Sequence, residues 1–179
     1  MRKLLAFVLS LCMVASMLCI TAFAADTPSE EIPPTAGTVI RVSGLKADDS
    51  KTEIVQEYTN HAVGWEAAID LARSSKEMKA KGFIRVVVDL YADWTAVKSE
   101  FCNSGDGFNW DAIYFPANVQ VTLNMNGHTI NRGEIHSDWD GEVIYVGPNA
   151  DVIINDGTIT GGNSESGAGG IHIKDNAKV

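Results

Sequence analysis

The chain has 179 residues, with 14 Lys and Arg against 23 Asp and Glu, and a formal net charge of −9 at pH 7. An acidic surface repels phosphate groups, so this balance argues against partners such as nucleic acid or anionic membrane surfaces. The length is sufficient for one domain.

Residues 1–24 are predicted to be a secretory signal peptide. Arg2 and Lys3 precede an apolar run over residues 4–20, and Ala22-Phe23-Ala24 then offers the small residues of a cleavage site. Cleavage after Ala24 would change the formal net charge from −9 to −11, because it removes both basic residues. We therefore expect a secreted or cell-surface protein whose mature chain makes no membrane contact.

Residues 25–38 contain three prolines together with Ser, Glu and Thr, a composition that predicts a flexible linker. The following residues, 39–112, are predicted to form an N-terminal cap region. Within it, apolar residues at 39–42 and 53–58 indicate two short strands.

An amphipathic helix is predicted over residues 65–81, because its apolar residues recur at helical spacing. Gly82 is typical of a helix end, and the apolar run at residues 83–90 predicts a strand. We expect this helix to cover the open end of the repeats that follow. The residues that share its apolar face are Trp65, Ala68, Ile69 and Ala72.

A nine-residue pattern occurs three times in residues 113–179, and its copies begin at Ile113, Ile144 and Ile171. Apolar residues alternate within each copy, as a half-buried strand requires. The spacing of the copies predicts an all-β solenoid with the copies stacked in register, truncated at the C-terminus. One position is an asparagine in every copy, and we predict a sharp left-handed bend there: Asn118, Asn149 and Asn176.

Three segments resemble the N-terminal part of right-handed parallel β-helix proteins of the pectin-lyase-like superfamily: residues 65–68 (WEAA), 90–96 (LYADWTA) and 121–130 (VTLNMNGHTI). More narrowly, they are similar to large exported surface proteins of Gram-positive gut bacteria. The resemblance implies a right-handed parallel β-helix with an N-terminal capping α-helix. The lyases of this superfamily use clustered carboxylates that bind calcium and an Arg or Lys base, and the related hydrolases use carboxylates on neighbouring coils. The sequence matches neither pattern residue by residue.

The best candidates for a binding site are aromatic. Tyr114, Tyr145 and His172 hold the same outward position in successive copies, so they predict a ladder of rings. Such a ladder can stack against sugar faces, or it can strengthen the sheet through ring packing. Trp139, in the acidic loop at residues 134–142, is a further candidate for a carbohydrate contact.

No catalytic residue, metal or cofactor is predicted. The loop at residues 134–142 offers four carboxylates, but their spacing fits no recognised calcium loop. Arg132 is the only basic residue between positions 99 and 173, and we expect it to form a surface ion pair with Glu134. His128 has no second ligand at suitable spacing, so a structural role is expected.

Two functions are compatible with this sequence. The first is an exported, non-catalytic segment that acts as a surface scaffold or adhesive module, with a polysaccharide or a host surface glycan as its partner. The alternative is the N-terminal part of a carbohydrate-active enzyme, either a polysaccharide lyase or a glycoside hydrolase. Exposed strand edges also predict end-to-end self-association of the chain.

Overall fold

A computed structural model describes residues 32–47, 52–96, 113–133, 142–162 and 169–179. The predicted signal peptide with its cleavage site at Ala24, the first half of the predicted linker (residues 25–31), and Trp139 lie outside these described residues. The segment Pro34–Val179 forms one compact unit.

Strands dominate the described part of the chain, with two short helices between the second and third strands. In order, the elements are β1 (Ile40–Lys46), β2 (Thr52–Tyr58), α1 (His61–Arg73), α2 (Ser75–Lys81), β3 (Phe83–Leu90), β4 (Trp94–Thr95), β5 (Ile113–Phe115), β6 (Gln120–Asn124), β7 (Thr129–Asn131), β8 (Ile144–Val146), β9 (Asp151–Asn155), β10 (Thr158–Thr160) and β11 (Ile171–Ile173).

These strands form three sheets. The largest has five strands in the order β2-β1-β3-β6-β9. Its β2-β1-β3 part is antiparallel, whereas β3, β6 and β9 run parallel to one another. The two smaller sheets, β4-β7-β10 and β5-β8-β11, have three strands each and are parallel throughout.

The fold is therefore mixed, and the prediction of an all-β solenoid, a right-handed parallel β-helix with a capping helix, is wrong. Strand β3 pairs antiparallel with β1 on one side and parallel with β6 on the other. The N-terminal strands thus extend the largest sheet. Apolar alternation specifies a half-buried strand, but it carries no information about the direction of the neighbouring strands.

The register predicted for the three repeat copies is confirmed. Ile113 pairs with Ile144, and Ile144 pairs with Ile171, in one parallel sheet. Val121 pairs with Val152 in another. Register is specified strongly here because a shift of one residue would turn every buried side chain outward.

The helical region differs from the predicted helix at residues 65–81 in two ways. Helix α1 begins four residues earlier, because the Asn60 side chain caps it by accepting from the backbone N–H groups of Ala62 (2.9 Å) and Val63 (3.2 Å). Ser74 then interrupts the helix, and its side chain caps α2. The predicted end is confirmed, since Gly82 has a left-handed φ of 69°.

Helix α1 packs its apolar face against the strands. The Trp65 ring meets Phe115 edge-on, with centroids 5.0 Å apart and planes at 89°, and lies 6.0 Å from Trp94. The backbone of α1 approaches β1 closely at Gly64, where an added Cβ would overlap the Ile40 side chain. Helix and sheets therefore share one apolar core.

One charged side chain bridges three strands of the largest sheet. Arg85 of β3 donates from Nη1 to the Val121 carbonyl oxygen of β6 at 3.1 Å and to the Asp151 carbonyl oxygen of β9 at 2.9 Å. Its Nη2 also lies 2.9 Å from the Asp151 carboxylate. The forked guanidinium group provides several donors in fixed directions, which suits it to bridging neighbouring strands.

Candidate functional site

The predicted ladder of rings is present in the sheet β5-β8-β11. Tyr114, Tyr145 and His172 occupy paired positions on adjacent parallel strands. The ring centroids are 5.6 Å apart between the two tyrosines and 5.1 Å apart between Tyr145 and His172, with planes tilted by 43° and 48°. We call these three residues the ring ladder.

Access to the ring ladder is uneven. Tyr145, the middle ring, is only 8% exposed, and the Lys174 ammonium group stands 5.5 Å from its centroid. Tyr114 and His172 are half-buried. A ligand can therefore reach the two end rings, while Tyr145 supports them from between.

A buried carboxylate orients the last ring. Nδ1 of His172 lies 2.9 Å from Oε1 of Glu142, whose residue is 1% exposed. This hydrogen bond between ring and carboxyl group fixes the orientation of the His172 ring. The second oxygen of Glu142, Oε2, is buried and finds no hydrogen-bond partner among the described residues.

Sequence reasoning missed both charged neighbours of the ring ladder. Lys174 lies two residues after His172, so strand alternation could have placed it on the same face. Glu142 lies two residues before the inward-facing Ile144, and strict alternation would turn it inward as well. Only the stacking of β11 on β8 brings Glu142 to His172.

The structure bears differently on the roles that the sequence predicted for Arg132, His128 and Trp139. Arg132 is fully buried, so the prediction of a surface ion pair is wrong, and Glu134 lies outside the described residues. His128 stands near Asp93, with Nδ1 3.4 Å from Oδ1, as a structural role would allow. Trp139 lies in a part of the chain that the structure does not describe, so its place relative to the ring ladder is untested.

A second ordered array crosses the largest sheet, and the sequence reasoning did not find it. Its members pair in register across all five strands. We call it the polar row, and it consists of Glu57, Arg41, Asp89, Asn124 and Asn155.

Hydrogen bonds between neighbouring side chains fix their orientation at one end of the polar row. Asn155 donates from Nδ2 to Oδ1 of Asn124 at 2.9 Å, and Asn124 donates from Nδ2 to Oδ1 of Asp89 at 2.7 Å. Both amide groups are thereby oriented. Exposure rises along this end, from half-buried Asp89 to exposed Asn155.

A charged pair forms the other end of the polar row. Arg41 donates to Oε1 of Glu57 from Nε at 2.9 Å and from Nη2 at 2.7 Å. Hydrogen bonds from Thr35 and then from Arg41 lower the pKa of Glu57 from 4.5 to about 2. Because its pKa falls on folding, Glu57 stabilises the fold above pH 4.5, and that contribution disappears as the pH falls towards 2.

The described residues contain no group of three His, Cys, Asp or Glu side chains arranged to hold a metal ion. Neither α1 nor α2, the two helices that the structure describes, has the length and apolar character needed to cross a bilayer. The ring ladder and the polar row are both ordered arrays of side chains in register on neighbouring strands.

Comparison of the chain with protein-family models, with curated proteins and with solved structures found no match. The resemblance to exported surface proteins of Gram-positive bacteria stays a prediction from the sequence.

Proposed function

We propose that this chain is an exported, non-catalytic surface module that acts as a scaffold or adhesive and binds an extended polysaccharide along the ring ladder. The observation that carries the proposal is the in-register repetition of Tyr114, Tyr145 and His172, with centroids 5.6 and 5.1 Å apart. A linear glycan also repeats one ring per unit. Tyr145 is buried between the end rings, so Tyr114 and His172 can contact two separate sugars of one chain.

Charge and burial support this binding mode. The end rings, Tyr114 and His172, are half-exposed, whereas Tyr145 is held in place by its neighbours on both sides. Lys174 adds a positive group beside the rings, and the buried Glu142 orients His172. Side chains whose orientation is fixed before binding lose little conformational entropy when a ligand arrives.

Calorimetric titration of the folded chain with neutral and acidic polysaccharides tests the proposal. We expect Tyr114→Ala and His172→Ala each to weaken binding about tenfold, which corresponds to about 1.4 kcal/mol. Tyr114→Phe keeps the ring and serves as the matched control, so its affinity should remain near that of the parent. Trp139→Ala tests the fourth predicted contact in the same way.

The same samples separate the module from the alternative enzyme. After incubation with each polysaccharide, the products are assayed for new reducing ends and for unsaturated uronates. Cleavage by the folded chain would support the carbohydrate-active enzyme and contradict a non-catalytic role. Failure to bind any polysaccharide, or equal binding by Tyr114→Ala and the parent, would contradict the ring ladder as a glycan site.

A further inference from the structure

Three separate segments meet at the N-terminus of α1. His61, the first residue of this helix, stacks on Trp94 with ring centroids 5.3 Å apart and planes at 7°. Its Nε2 lies 3.1 Å from the carbonyl oxygen of Ala92 in the turn between β3 and β4. That oxygen can only accept, so Nε2 carries the hydrogen of the neutral ring.

A second histidine approaches from the turn before β7. Nδ1 of His128 lies 3.4 Å from Oδ1 of Asp93, and the same oxygen accepts from the backbone N–H of Thr129 at 2.8 Å. This backbone hydrogen bond, followed by contacts with His128, lowers the pKa of Asp93. Asp93 and His128 are titratable side chains in the two turns beside this end of α1, and Tyr91 lies in the same turn as Asp93.

The surroundings of His61 disfavour its charged form. Burial lowers its pKa below 6.5, the nearby His128 lowers it further, and only the hydrogen bond to Ala92 acts in the opposite direction. The N-terminus of a helix also carries a partial positive charge, which repels a histidinium. The first turn of α1 is fully described, and it contains no acidic side chain to offset that charge.

We propose that His61, Trp94, Asp93 and His128 form an acid-sensitive clasp, in which protonation of His61 releases the N-terminus of α1 from the turn that follows β3. This regulation goes beyond glycan binding, since it concerns the side of the core that α1 covers, where Trp65 lies against Trp94. Release would expose both indole rings. The step takes one proton from solvent, which forms an N–H bond at Nδ1 of His61. Burial disfavours the charged ring, so the ring leaves its place against Trp94 for water, and its hydrogen bond to Ala92 opens as a result.

The direction in which pH changes stability follows from the pKa of His61 in the folded and in the unfolded chain. A histidine whose pKa is lower in the folded chain stabilises the fold fully at pH values above its pKa in the unfolded chain. That contribution to stability is lost as the pH falls below 6.5 and then through the lower pKa that His61 has in the folded chain. One linked proton changes the opening equilibrium of α1 by at most about tenfold per pH unit.

Amide hydrogen exchange of α1 and NMR titration of the histidine rings, both between pH 7.5 and about 5, test the clasp. After correction for intrinsic exchange, opening of α1 should increase on acidification in the parent chain. His61→Gln keeps a donor for Ala92 and His61→Phe keeps the stacked ring, but neither titrates. Opening of α1 in these two variants should therefore be independent of pH.

His128→Gln provides the sharper comparison, because it leaves His61 intact and removes the like charge. The His61 ring should then titrate at a higher pH than in the parent, and the acid response of α1 should be weaker. The proposal is overturned if His61 titrates at or above 6.5 in the folded chain. It is equally overturned if both His61 variants retain the acid response of the parent.

Discussion

At the scale of single residues, asparagine sets where the strands bend. Asn118, Asn149 and Asn176 have φ values of 63°, 57° and 58°, so all three adopt the left-handed conformation predicted from the repeat. Asn126 and Asp156 adopt it as well, with φ of 50° and 47°. Their short polar side chains tolerate a conformation that most residues avoid.

We predict that Asn149→Val lowers the free energy of unfolding by about 1–2 kcal/mol, because a β-branched residue is strained in the left-handed region. Asn149 is exposed, so lost burial makes no contribution. Urea denaturation of the parent and the variant provides the measurement. Asn149→Gly is the control, since glycine adopts this conformation freely and should restore most of the stability.

Asp151 is unsuitable as a control for Asn149, although it lies only two residues away and is partly exposed. Its carboxylate lies 2.9 Å from Nη2 of Arg85, so its replacement would also remove one contact of the side chain that bridges β3, β6 and β9. An unchanged denaturation midpoint in Asn149→Val would mean that the bend tolerates a β-branched residue. That outcome would remove the conformational explanation for the repeated asparagine.

At the scale of secondary-structure elements, the contact between α1 and β1 depends on a glycine. An added Cβ at Gly64 would overlap the Ile40 side chain and come within 3.1 Å of the Tyr58 ring. Ile40 is fully buried, so it has little room to move. The close approach of helix and sheet therefore requires the absence of a side chain at this position.

We predict that Gly64→Ala destabilises the fold by about 1–3 kcal/mol through overpacking. Helix propensity alone predicts the opposite sign, since alanine favours a helix by about 1 kcal/mol over glycine. Thermal melts monitored by circular dichroism would distinguish the two effects. Val63→Ala, at a neighbouring site that is 53% exposed, should leave the melting temperature nearly unchanged. A stabilised Gly64→Ala variant would show that α1 and β1 can separate at little cost.

At the scale of the whole molecule, we propose that an exposed strand edge is where copies of the chain would associate. Within the described residues, β11 is the last strand of the sheet β5-β8-β11, and Ile173 on it is 49% exposed. Exposed edges with apolar side chains recruit further strands. The self-association proposed from the sequence therefore has a defined place to occur.

We predict that Ile173→Lys weakens self-association roughly tenfold, because a charge on an edge strand opposes strand addition. Light scattering over a range of protein concentrations would measure the effect. Ile84→Lys is a closely matched control: Ile84 is 48% exposed, but it lies on β3 between β1 and β6. Equal association of the two variants would indicate that general apolar exposure, and not the strand edge, drives it. A monomeric parent chain would contradict self-association altogether.

The sequence was sufficient for features that depend on local periodicity. Alternation of apolar residues and a repeated asparagine predicted the register of the stacked copies, the left-handed bends and the ring ladder. The end of the helical region at Gly82 was equally predictable. Each of these features follows from the preferences of neighbouring residues along the chain, because the same short pattern recurs at the same structural position.

Only the tertiary structure decided how the N-terminal strands join the repeats. The pairing of β3 with β1 on one side and β6 on the other makes the fold mixed, and no local pattern specifies the direction of a neighbouring strand. Contacts between distant segments depend on that pairing: Glu142 with His172, Asp89 with Asn124, and His61 with Ala92. These partners are 30 or more residues apart, so their meeting is a property of the packed sheets and helices.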